Sequence, residues 1–111
     1  MATARGETRS AAEDRLQADL EDVKRLVLQG LGPHPARVWL FGSRARGTGG
    51  RASDIDVAIL PLVPLPAATL ARIEETLENS LVLSRVEIVD LSSADPALRQ
   101  RVEREGVPWR S

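Results

Sequence analysis

Cysteine is absent and histidine occurs once, at His34. A disulfide framework is therefore excluded, as is a thiolate or multi-histidine zinc site. Tyrosine is also absent, and the aromatic complement is two tryptophans and one phenylalanine. Charge of one sign is lacking too: 15 basic against 16 acidic residues leave a net charge of −1. Bulk electrostatics thus predict no direct nucleic-acid binding, and any recognition of phosphate must be local. No apolar run approaches the roughly 18 residues that a bilayer span requires. The opening "MATARGETRS" has no apolar core of the kind a secretory signal carries. These absences predict a cytoplasmic protein with no membrane partner.

What is present suits a packed fold. Apolar residues make up 42% of the 111 and charged residues 28%, enough for one small core. The first residues, 1–10, are small, polar and charged, and are expected to be flexible; a single domain is expected over 11–111. Ser10 and Glu13 fit a capping box, and Leu16, Leu20, Val23, Val27 and Leu31 recur at helical spacing, with Gly30 or Gly32 expected to end the helix. "RVWLF" (37–41) and "DIDVAIL" (54–60) predict two strands. Pro66 is expected to open a helix whose stripe is Leu70, Ile73, Leu77 and Leu81. "RVEIVDL" (85–91) predicts a third strand. Asp95-Pro96 predicts the start of a last helix through Leu98 and Val102 that Gly106 ends. The arginines of that helix, Arg99, Arg101 and Arg104, alternate with Glu103 and Glu105 and are expected to form a solvated face. The order helix, strand, strand, helix, strand, helix implies an α+β fold: a small mixed sheet with helices packed on it.

The chemistry concentrates in "FGSRARGTGGRASDIDVAIL" (41–60). Asp54 and Asp56 are two apart, so a strand puts them on one face, where like charges repel. A hard divalent cation such as Mg²⁺ relieves that repulsion, because it takes oxygen ligands and is often held by one or two carboxylates together with phosphates. Just upstream, Gly42 permits close approach of a ligand to the backbone, and Ser43 offers a hydroxyl and turn N–H groups. Arg44 and Arg46 add cationic groups suited to phosphate. The stretch therefore predicts a triphosphate cradle beside a metal-holding acidic pair.

These residues resemble the polymerase-β type of nucleotidyltransferase superfamily, and within it the minimal nucleotidyltransferases (MNT) of MNT/HEPN toxin–antitoxin pairs. The family's pattern is Gly-Ser, ten residues, then Asp-x-Asp. Here Gly42-Ser43 is followed by residues 44–53 and Asp54-Ile55-Asp56. The ending "VEIVDLSSADPALRQRVEREGVPW" is similar to the family's as well, so the likeness spans roughly residues 15–109. The resemblance implies the polymerase-β-like fold, phosphate contacts at Gly42, Ser43 and Arg46, and Mg²⁺ at Asp54 and Asp56. It also implies a third metal-binding and catalytic carboxylate on a neighbouring strand. That position falls on Glu87, a departure from the usual aspartate, with Asp90 the competing candidate. The implied activity is transfer of AMP from ATP to a tyrosine of a HEPN-type ribonuclease toxin, which silences it. With no tyrosine in this sequence, self-modification at tyrosine is excluded, which favours modification in trans. The alternative is a nucleotide-fold module of weak or no activity that neutralises the toxin by forming a complex. Transfer to a small molecule such as an antibiotic is the lesser rival, because those relatives carry a second domain for the acceptor.

Overall fold

The structure is a computed structural model, described here over residues 11–42 and 54–111. The expected flexible N-terminus, the Ser10 cap, and Ser43, Arg44 and Arg46 lie outside the described residues. Helix α1 runs over Ala11–Leu31, built from alanine, leucine and long polar residues that favour helix. Its stripe Val23, Val27 and Leu31 is wholly buried. The helix stops at Gly32, whose φ of +57° is the left-handed turn that glycine tolerates best.

Strands β1 (Ala36–Phe41) and β2 (Ile55–Pro61) pair antiparallel, as the short glycine-rich link implies. Helix α2 (Thr69–Glu78) then crosses over to β3 (Val86–Asp90), which pairs parallel with β2. A 3₁₀ turn (Leu91–Ser93) leads to helix α3 (Pro96–Glu105). Asp95 caps α3 by accepting a hydrogen bond from the Leu98 N–H at 2.9 Å, with Pro96 in the first turn. A fourth strand, β4 (Val107–Arg110), follows, and the sheet order is β3-β2-β1-β4. The mixed α+β sheet expected from the sequence is thus present.

Three details differ from the sequence reading. The α2 helix begins at Thr69 and not at Pro66, because Ala68 takes a left-handed φ of +67° and breaks helical continuity. It also ends before Leu81: the Ser80 hydroxyl donates to the Leu77 carbonyl at 2.6 Å and accepts from the Val82 N–H at 3.2 Å. That local bonding competes with another helical turn and leaves Leu81 exposed. Finally, β4 was not anticipated. It pairs with β1 across a register break at Val38/Trp39, and the Arg110 guanidinium donates to the His34 carbonyl at 3.0 Å.

The sheet separates two apolar layers. Ile55, Val57 and Ile59 face α1 and α2, packing with Val23, Val27, Leu31 and Ile73. Ala58 and Leu60 face the other way, toward Trp39, Leu91 and Val102 beneath α3. β2 is therefore covered on both sides over most of its length, and each fully buried Val, Ile or Leu contributes about 1.5–3 kcal/mol. One buried carboxylate ties the layers to the chain ahead of β3: Asp19 of α1 accepts from the Ser84 N–H at 3.0 Å and hydroxyl at 2.8 Å. That contact anchors the approach to Glu87.

Candidate active site

The antiparallel β1–β2 pair and the parallel β2–β3 pair bring the C-terminal end of β1 and the N-terminal ends of β2 and β3 together. In register, Asp56 is opposite Phe41 on one side and opposite Glu87 on the other. Strand alternation gives Asp56 and Glu87 the same face, the one α3 covers. Asp54 immediately precedes β2. The structure thus places Asp54, Asp56 and Glu87 around one end of the sheet.

Asp90 is elsewhere. It pairs in register with Ile59, three residues further along, and has the opposite facing from Glu87. Its carboxylate caps the 3₁₀ turn, accepting from the Ser92 N–H at 2.9 Å and hydroxyl at 2.6 Å.

Gly42 closes the site from the β1 side. Its φ is +83°, and a Cβ built on it would lie 2.5 Å from the Asp56 Oδ2 atom. Only glycine lets the backbone turn here while passing this close to the carboxylate. Burial raises the Asp56 pKa above the usual aspartate value, and the negative charges of Glu87 and Asp54 raise it further. Glu87 is half exposed and leans toward Arg85, at 4.0 Å, a solvent-screened pairing of small energy. Among the described residues, no group of three Asp, Glu, His or Cys side chains is gathered so as to hold a metal ion. The donor chemistry nevertheless fits a hard divalent cation. The nearest groups are carboxylate oxygens, and burial, followed by repulsion from Glu87 and Asp54, raises the Asp56 pKa.

A cleft of about 200 Å³ opens beside Asp56, lined by Phe41, Gly42, Arg101, Val102 and Glu105. The charge alternation along α3 predicts a solvated face for Arg101, whereas the fold brings it to this cleft; the local hint is its place directly before the buried Val102.

The site is thus one end of a mixed sheet where β2 begins beside alternate aspartates and a left-handed glycine presses against the second. The class of protein follows from the comparison with known families. Residues 16–108 match the family described as "Polymerase beta, Nucleotidyltransferase", and this chain belongs to that family. Nucleotidyltransferases of this kind use a nucleotide together with a divalent metal. The chain is 30% identical over 82 residues to the "Probable protein adenylyltransferase MntA" of Haemophilus influenzae, covering 74% of this chain and 71% of that protein. Among solved structures it is similar to a toxin–antitoxin crystal structure with AMP-PNP (34% identity, TM-score 0.64, 80% of this chain and 71% of the other). It is also similar to a Shewanella oneidensis complex of a tri-AMPylated HEPN toxin with its MNT antitoxin (28% identity, TM-score 0.60, 84% and 70%). No described helix is long and apolar enough to cross a membrane.

Proposed function

We propose that this chain is a cytoplasmic protein adenylyltransferase that moves AMP from ATP onto a hydroxyl, a tyrosine's, of a HEPN-type toxin and so acts as its antitoxin. The observation that carries this reading is the setting of Asp56, in register with Glu87 and closely approached by Gly42, in a chain of this family whose relatives are named for adenylyl transfer. The AMPylated toxin in the Shewanella oneidensis complex supports the choice of acceptor.

Each residue then has a role. Asp54 and Asp56 would hold Mg²⁺, which neutralises the triphosphate when bound. Gly42 and Ser43 take the phosphates, with Arg46 from the same loop. Glu87 completes the acidic set on the side where the acceptor enters. In the transfer, the acceptor oxygen attacks the α-phosphorus and forms a new P–O bond. The bond from the α-phosphorus to the oxygen bridging to the β-phosphate breaks, and pyrophosphate departs with that electron pair. The hydroxyl proton passes to Glu87 and on to solvent. Glu87 reaches one methylene further than an aspartate, so its carboxylate can turn from Arg85 toward the acceptor.

The test is incubation of this chain with α-labelled ATP, Mg²⁺ and the partner toxin. Label on the toxin is expected, and Asp54→Asn should abolish it. A tight complex without label, formed equally well by Asp54→Asn, would identify a blocking module and not a transferase.

A further inference from the structure

We propose that Arg101 is the seat for the terminal phosphates of the nucleotide, on the Gly42 side of Asp56 and away from Glu87. The inference rests on the nucleotidyl-transfer reading and extends it to a residue outside the Gly-Ser and Asp-x-Asp motif. Helix α3 carries three arginines that look alike in sequence but differ in the fold. Arg99 is engaged by Glu103 at 3.7 Å, and Arg104 by Glu105 at 3.9 Å. Arg101 has no ion pair or hydrogen bond among the described residues, and it lines the cleft beside Asp56.

Its placement is fixed by its neighbour. Val102 is 2% exposed and packs in the layer of Trp39 and Leu60, so the α3 backbone is anchored one residue from Arg101. The guanidinium itself stays accessible, which an incoming ligand requires. The cleft also contains Glu105, whose charge is partly answered by Arg104. Among the described residues, what remains is an uncommitted cation at the edge of an acidic site.

Such a group suits phosphate. A guanidinium donates two parallel N–H bonds to phosphate oxygens and keeps its charge at any working pH. Gly42 lines the same cleft and begins the bend that leads to Ser43, so the phosphate tail and Arg101 share one side of Asp56. The acceptor hydroxyl enters from the opposite side, at Glu87. When the bond to the α-phosphorus breaks, negative charge collects on the departing pyrophosphate, and Arg101 is placed to stabilise it.

The experiment is titration calorimetry of ATP and of AMP, each with Mg²⁺, against the wild-type chain and the Arg101→Gln, Arg101→Lys and Arg99→Gln variants. Arg101→Gln is expected to weaken ATP binding by about 10- to 100-fold while AMP binding changes less than about two-fold. Arg101→Lys should recover part of the loss, and Arg99→Gln should bind both as the wild type does. ATP affinity for Arg101→Gln within about two-fold of wild type overturns the assignment and leaves the transferase reading standing. Equal losses for ATP and AMP overturn it as well, since the contact would not then be with the terminal phosphates. A wild-type chain that takes up neither nucleotide removes both readings.

Discussion

Asp56 and Asp90 stand near opposite ends of the same sheet, and their surroundings are opposite in kind. At the Asp90 end a groove of about 650 Å³ runs along Pro61–Pro66 and the start of α2. It is the larger opening, and its one aspartate already caps a turn through two hydrogen bonds from Ser92. At the Asp56 end the cleft is about 200 Å³, yet the carboxylate there is burdened by burial and by two like charges. The two differ by roughly 10 Å along β2 and β3, on a rise near 3.3 Å per residue. Volume therefore does not locate the chemistry. The informative feature is a charge that the described residues leave uncompensated, because an uncompensated charge has free energy to gain from a ligand and a satisfied one does not.

The contrast can be broken most severely at Asp56. Asp56→Asn should lower adenylyl transfer by about 1,000-fold or more, read as label on the partner, because a charge-bearing ligand of the metal and phosphates is lost. Its stability should move the other way. The folded-state pKa of Asp56 is raised, so the native state binds its proton more tightly than the unfolded chain does. The associated stabilisation is fully present below the unfolded-state pKa and is lost as pH rises through the folded one. Relative to wild type, Asp56→Asn should therefore gain stability at neutral pH and lose that advantage in acid. Urea unfolding of both proteins across pH checks it, and a constant difference at every pH would contradict the electrostatic account.

Gly42→Ala sharpens the same point from the backbone. The positive φ and the close approach to Asp56 Oδ2 should cost about 1–3 kcal/mol in unfolding free energy. Transfer should fall by about 100-fold, as small displacements of a reacting group do. Asp90→Asn supplies the smallest effect and the control. It weakens a cap, so about 1 kcal/mol of stability should go while transfer remains at the wild-type rate. A large loss of transfer in Asp90→Asn would reverse the contrast between the two ends.

Much of this was legible in the residues. The α1 stripe, the apolar run of β2 and the Asp95-Pro96 start of α3 are local patterns, and each appears close to where its spacing implied. The acidic pair was legible in part: alternation sets the face of Asp56 within β2, and Asp54, just ahead of the strand, lies near enough for its charge to act on Asp56. The ends of α2 were less legible. Ala68 has no local signal for a left-handed conformation, and the Ser80 hydroxyl interrupts a stripe that Leu81 would otherwise have extended. β4 is short and contains Pro108, so it carries little strand signal of its own and exists through its pairing with β1.

By itself the sequence determined the order of the elements up to α3, the spacing of Asp54 and Asp56 and the bend at Gly42, because these depend on neighbours along the chain. The tertiary structure alone decided that β3 pairs with β2 in the register that sets Glu87 beside Asp56. It also decided that α3 folds back so that Arg101, and not Arg99 or Arg104, reaches the cleft. Register and docking are settled by which buried surfaces fit together across the sheet. Val102 and Leu91 must be covered, and covering them fixes where the charged residues beside them point.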